Sequence, residues 1–453
     1  MLERHYYRNI SDNRNTYLFD RTILIVLSTL RERTQKGDEM IDEDRAQLLT
    51  SAIADGVDDL SDFVAASVTV PSVSGDETAI QAWYTKWFQE QGWEFDTQAL
   101  QGSILEETET QVEGRANLIA YPLGRPTSSD RTVVINGHVD VVPPGEASEW
   151  KVPPFSGAQI DGRIHGRGTV DMKGGIGSAL YALQAVRTLH ITTALKPVVH
   201  LVIGEETGGV GTRLALHELG APDAAVVMEP TGNELVTICT GLQFFKLETY
   251  GKAAHSSAPW RGVDALQRML PLREALVDIA DQRSHRFNHP RYRDIPTAIP
   301  FNIGKFTAGS YQASVPDHAE VVGRIGLAPG EIAEEVRQEF QQAVARTARE
   351  DQNEANLPHS LTWVGEEFPA WETANETPLV KTFSDSLRSV DGEASLKGLT
   401  AGSDAGQYGA LGVQTVIFGP GEIALAHTSE ESIDARDLVR AAQTLALTLV
   451  RLK

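Results

Sequence analysis

Gly166-Arg167-Gly168-Thr169-Val170-Asp171-Met172-Lys173-Gly174-Gly175 sets a single carboxylate, Asp171, among four glycines. A carboxylate carries two oxygens with spare lone pairs, so one side chain can hold two cations close together. Gly166 and Gly168 permit a tight turn ahead of Asp171. Gly174 and Gly175 permit other segments to approach closely where a helix opens. In isolation the same ten residues are ordinary turn chemistry, a glycine-rich turn with a solvated aspartate or an anion cradle at a helix start. A metal-bridging role for Asp171 requires partners elsewhere in the chain.

Four strand-like runs supply them. Val133-Val134-Ile135 leads into Asn136-Gly137-His138-Val139-Asp140, and Val198-Val199-His200-Leu201-Val202-Ile203 leads into Gly204-Glu205-Glu206. Ala224-Ala225-Val226-Val227-Met228 leads into Glu229, and Thr415-Val416-Ile417-Phe418 leads through Gly419-Pro420-Gly421 to His427. Short continuous β-branched runs describe buried parallel strands, and α/β sheets gather ligands beyond the carboxyl ends of their strands. One shared pocket follows. Asp171, Glu205, Glu206 and Glu229 would repel one another there and raise one another's pKa values unless cations neutralised them, a need that a metal pair meets.

The motifs stand in a fixed order: Gly-His-Val-Asp-Val-Val-Pro at 137–143, Gly-Arg-Gly-x-x-Asp-Met-Lys-Gly-Gly at 166–175, Gly-Glu-Glu at 204–206, Glu-Pro at 229–230, Gly-Lys-Ala-Ala-His-Ser-Ser at 251–257, and a closing Gly-Pro-Gly with His427. From about Asp58 to the C-terminus the chain resembles the co-catalytic zinc amidohydrolase family that contains acetylornithine deacetylase, succinyl-diaminopimelate desuccinylase, aminoacylase and glutamate carboxypeptidase. The resemblance implies an α/β catalytic domain, a mixed and largely parallel sheet flanked by helices, carrying an inserted two-layer α+β lid or dimerisation domain. It also implies that His138, Asp171 and Glu229 hold one metal and that Asp171, Glu206 and His427 hold the other. Two divalent ions are expected. Zinc suits mixed imidazole and carboxylate donors, and cobalt or manganese is compatible with the same ligand types.

By the same resemblance Glu205 is the general base that takes a proton from the attacking water and returns it to the leaving amine. Asp140 is the acceptor that orients the His138 imidazole. His255 crosses to a partner subunit to steady the tetrahedral oxyanion, so a homodimer is implied. The substrate-contacting positions depart from the family pattern. Gly326 stands where many relatives carry a carboxylate-clamping Arg, and Ala313 stands where an Asn is expected ahead of Val315-Pro316. Arg324, two residues before Gly326 on the same strand face, is the substitute clamp. Asp404, in Gly402-Ser403-Asp404, matches a loop near the pocket as a substrate contact or a support for the metal ligands. The activity implied is hydrolysis of an amide, removing a small acyl group from an amine or amino acid. A dipeptidase or carboxypeptidase is the second expectation, and a non-catalytic dimeric binding protein on the same fold the third.

Composition bounds these expectations. At 453 residues and 41% hydrophobic content the chain exceeds the roughly 250–300 residues at which single cores stop growing, so two domains are expected. A net charge of -22 argues against nucleic-acid or anionic-membrane partners. The single cysteine, Cys239, lies in an apolar context, excludes an intramolecular disulfide framework and fits a reducing, cytoplasmic compartment. The texture assigns 40–241 and 367–453 to the catalytic domain. A helical pattern over 43–91, with Leu48, Ile53, Val57, Leu60 and Val64 on one face, is broken by Pro71-Ser72-Val73-Ser74-Gly75. A βαββαβ order over 242–366 describes the lid.

Residues 1–39 form an N-terminal extension rich in Arg, Asn and Tyr, whose apolar run at 23–27 is far shorter than the ~20 residues that span a bilayer. Arg31-Glu32-Arg33 follows where a signal peptide would need small residues, so no export signal is read. A chain starting at Met40 is expected to keep full activity and the same melting temperature, as thermal unfolding and turnover of the truncated protein would reveal.

Overall fold

The computed structural model describes residues 42–99 and 114–453, so the expectation for 1–39 lies outside the described residues. The four apolar runs form the strands Thr132–His138, Lys196–Val202, Ala224–Val227 and Gln414–Ile417. In space Lys196–Val202 pairs with Thr132–His138, which pairs with Ala224–Val227, which pairs with Gln414–Ile417, all in parallel. Their carboxyl ends therefore share one rim. Antiparallel strands extend both edges, Ala116–Tyr121 and Glu94–Ala99 on one side and Leu235–Cys239 and Trp371–Glu372 on the other. Leu396–Leu399 adds in parallel to Leu235–Cys239, making a mixed nine-stranded sheet.

Burial on both faces explains why the central strands are apolar without alternation, since every residue of Ala224–Val227 is buried. One face is covered by the helices Gly174–Thr188, Ala435–Arg451 and Val57–Val68. On the opposite face, Val210–Leu219 and Ala405–Ala410 pack over Val134, Val227 and Ile417. Ala435–Arg451 begins where the Asp434 side chain accepts from the Arg436 amide, and Leu438, Ala442, Leu445 and Leu449 form its buried stripe. At the N-terminal end the expected helical pattern is two helices, Asp42–Asp55 and Val57–Val68, before Thr78–Glu90. Leu49 rather than Leu48 occupies the buried stripe, because the period of Ile53, Leu60 and Val64 passes through position 49.

The lid is a four-stranded antiparallel sheet in the order Asn302–Ala308, His318–Leu327, Gly241–Tyr250, Ser360–Phe368. Ala265–Arg286 and Ala333–Ala348 cover one face, and Phe245, Leu247, Met269, Val321, Ile325 and Phe340 form a core separate from that of the large sheet. Burial along His318–Leu327 alternates, as a strand with one covered face requires. The strand Asn302–Ala308 starts just past Pro300, which has no amide to donate to the ladder.

Two features bear on the site. A small antiparallel sheet pairs Ser432–Asp434 with Arg163–His165, which pairs with Ala158–Ile160. Gly175 lets the following helix press against the sheet, because a Cβ there would lie 2.1 Å from the Met228 carbonyl oxygen. Among the described residues no helix is long and apolar enough to cross a membrane.

His200 sits in the Lys196–Val202 strand at 2% exposure, its Nδ1 3.0 Å from the Tyr408 hydroxyl. Burial pushes its pKa down to about 3. Neutral in the folded protein and titrating near 6.5 when unfolded, it contributes stability above about pH 6.5 that is lost as pH falls toward about 3. Between about pH 7 and about pH 5, the unfolding free energy of the native protein should fall by about 2 kcal/mol more than that of His200→Gln, measured by urea unfolding.

Candidate metal centre

Every ligand candidate except Asp171, and Glu205 with them, lies at or beyond the end of a parallel strand. His138 is the last residue of its strand, Glu205 and Glu206 follow Lys196–Val202 after Gly204 turns the chain with φ +68°, and Glu229 follows Ala224–Val227. His427 arrives on the longer connection after Gln414–Ile417, in left-handed backbone at φ +62°, a conformation uncommon outside glycine. Asp171 comes from the irregular segment before Gly174–Thr188, and its peptide bond to Met172 is cis.

The structure brings these side chains together. His138 Nε2 lies 3.0 Å from Asp171 Oδ1 and 3.7 Å from Glu229 Oε1. His427 Nε2 lies 3.4 Å from Asp171 Oδ2 and 3.1 Å from Glu206 Oε1. Asp171 therefore directs one oxygen at each of two imidazoles. Donor atoms of His138, Glu205 and Glu229 all lie within 4.8 Å of one another, as do those of His138, Asp171 and Glu206. Glu205 faces the same cup.

Asp140 lies beside His138 and contacts more than its imidazole. Its main-chain carbonyl, 2.8 Å from His138 Nδ1, is nearer the imidazole than its carboxylate, which is 3.6 Å away. The carboxylate accepts from the amides of Glu205 at 3.2 Å and Glu206 at 3.3 Å, and from the Ser74 hydroxyl at 2.8 Å. It fixes the Glu205-Glu206 turn. Asp404 is fully buried behind the rim and accepts from Thr212 Oγ1 at 2.8 Å. Arg324 lies on the lid, one Nη donating to the Thr400 carbonyl at 3.2 Å. His255 is exposed on a lid loop with Nδ1 2.9 Å from Ser257 Oγ, outside the cluster of this chain.

Sequence reasoning passed over Glu431, which is 1% exposed and accepts from the amides of Val170 at 3.0 Å and Asp171 at 3.3 Å. A second acid directly after Glu430, four residues past His427, was the available signal.

Electrostatics follow from the crowding. Burial raises Glu205 well above the ordinary carboxylate range and Glu229 adds to it, while for Glu229 burial is reinforced by Asp171. For His138 burial opposes the charged form, yet the Asp171 and Glu229 carboxylates overcome it and raise its pKa well above normal. Burial likewise works against an ionised Asp171, but hydrogen bonds from His138 and His427 hold it far below its usual value. His427 is raised to about 10, by Asp171 first and then Glu206. The carboxylates thus favour positive charge on both imidazoles. Imidazole nitrogens and carboxylate oxygens in this proximity fit divalent cations of zinc-like preference, with Asp171 able to serve two at once.

The chain is similar to several known proteins. The N-formyl-4-amino-5-aminomethyl-2-methylpyrimidine deformylase of Halalkalibacterium halodurans is 26% identical over 348 residues, 73% of this chain and 81% of that protein. A probable carboxypeptidase of Talaromyces marneffei is 29% identical over 383 residues, covering 82% of this chain and 81% of its own. In fold, the chain matches the solved dinuclear metal-binding M20 peptidase of Bacillus subtilis with a TM-score of 0.61 at 16% identity, covering 87% of this chain and 97% of the other. The sequence profile of Peptidase family M20/M25/M40 matches residues 134–451, which spans the ligand candidates, the lid and the closing helix. The chain belongs to that family and is a hydrolytic enzyme.

Proposed function

We propose that this protein is a two-metal amide hydrolase that removes a small acyl group from an amine or amino acid. The observation that carries the proposal is the Asp171 carboxylate, one oxygen at 3.0 Å from His138 and the other at 3.4 Å from His427. His138 and Glu229 would hold one ion and Glu206 and His427 the other, Asp171 being shared. When bound, the ions supply an acidified water and an electrophilic anchor for the amide oxygen. Glu205, pinned through its amide to Asp140, accepts the proton of the attacking water and delivers it to the departing nitrogen. Glu205 is buried at the same rim as Glu229, where it can pass that proton from one step to the next.

In this proposal residues 40–241 and 367–453 form the catalytic domain and 242–366 the lid, through which two copies pair. His255 of a second copy then reaches the oxyanion, consistent with its exposure on the lid. The buried Cys239 thiol suits a cytoplasmic enzyme. Zinc is the proposed ion, and the deformylase relative favours a small acyl group. A specific observation favours the second reading, a carboxypeptidase or dipeptidase. Arg324 has no carboxylate partner among the described residues, so its guanidinium is available to a substrate carboxylate. Asp404, buried and bonded to Thr212, supports the rim from behind rather than touching substrate.

Glu205→Gln should retain both ions by metal analysis while kcat falls by roughly 10²–10⁴-fold, the usual weight of a general acid-base. A variant with undiminished turnover would remove the base assignment. Across N-formyl, N-acetyl and N-succinyl amines and amino acids and a set of dipeptides, kcat/KM should be highest for an N-acyl compound. Exhaustive chelation should abolish that activity and added zinc, cobalt or manganese restore it. Highest kcat/KM on a dipeptide would transfer the assignment to the second reading.

A further inference from the structure

We propose that the buried Arg167–Glu431 ion pair is a positioning device that sets the distance between Asp171 and His427, and so the spacing available to the two ions. This inference rests on the metal-centre reading above. The two side chains belong to different loops, 166–173 and 427–431, and each loop carries one of the ligands. The small antiparallel sheet aligns them. Ser432 lies opposite His165, and the Gly166 amide donates to the Glu431 carbonyl at 3.1 Å.

Beyond the sheet the chains diverge, and main-chain pairing gives way to side chains. Glu431 Oε1 accepts from the Val170 amide at 3.0 Å and the Asp171 amide at 3.3 Å. Its Oε2 accepts from Arg167 Nη1, which also donates to the Thr428 carbonyl at 3.3 Å. Arg167 is 2% exposed and its guanidinium lies 5.2 Å from the centre of the Trp150 ring, so the cation is held from two sides. One carboxylate thus grips the main chain of the bridging ligand, while its own main chain lies four residues beyond His427.

The physical case for positioning rather than stability has two parts. Asp171 and Met172 have non-helical backbone, so the amides at Val170 and Asp171 lack regular helical partners and need an acceptor if the loop is to keep one shape. A buried ion pair contributes little net stability compared with apolar side chains of the same volume. A pair of this kind can nonetheless hold one geometry, and here it joins the loops of two ligands. Arg167 also balances the charge that Glu431 adds beside an already anionic cup.

The test uses the full chain and cobalt(II) as the probe, with equilibrium dialysis for stoichiometry and affinity, the visible cobalt spectrum for coordination, and circular dichroism with urea unfolding for fold. The double variant Arg167→Met with Glu431→Leu replaces the pair with apolar side chains. It should stay folded, bind the second cobalt ion at least tenfold more weakly than the native chain, show an altered spectrum, and lose kcat with little change in KM. Glu431→Gln keeps an oxygen facing both amides. It should show a smaller loss, of at least threefold in second-ion affinity, and it alone decides the matter if the double variant does not fold. Native affinity and spectrum in a folded variant would overturn the positioning role while leaving the metal centre intact. A native chain that bound no cobalt pair would overturn both.

Discussion

Like-charge repulsion among Asp171, Glu205, Glu206 and Glu229 at one rim of a parallel sheet is the constraint to which the site answers. Two unit charges about 4 Å apart at an effective dielectric constant of about 20 interact by about 4 kcal/mol, so a buried group of carboxylates cannot all ionise without compensation. Two imidazoles, His138 and His427, provide part of it by bonding to Asp171. Divalent ions held by the same nitrogens of neutral imidazoles would take over that compensation, and the same cations would polarise water and amide.

Two further carboxylates serve the main chain. Asp140 receives the amides of Glu205 and Glu206, and Glu431 receives those of Val170 and Asp171. Irregular loops leave amides without ladder partners, and a buried carboxylate is a strong acceptor for them. The outcome is a division of labour, with Asp171, Glu206 and Glu229 facing the cup and Asp140 and Glu431 fixing the loops that aim them. Asp404 forms a deeper layer, where burial raises it to about 6 and Thr212 is its hydrogen-bond partner.

The lid folds around its own core, separate from that of the large sheet. Arg324 stands on the His318–Leu327 strand and reaches the Thr400 carbonyl, close in sequence to the Ser403-Asp404 turn behind the rim. Exposed His255 lies on the same unit.

Sequence alone determined the parts that depend on local pattern. Short β-branched runs ending in His138, Glu205, Glu229 and the approach to His427 could be read because buried parallel strands carry no polar alternation and polar residues mark where they end. The βαββαβ order of the lid was readable from its periodicities. Tertiary structure decided what depends on long-range approach: that the Asp140 carboxylate accepts from the Glu205 and Glu206 amides, that Asp404 is sealed behind the rim against Thr212, and that Glu431 accepts from the Asp171 amide. The reason is geometric. Chain pattern specifies which side of an element is apolar, whereas these polar partners are fixed when segments far apart in sequence are brought within hydrogen-bonding distance.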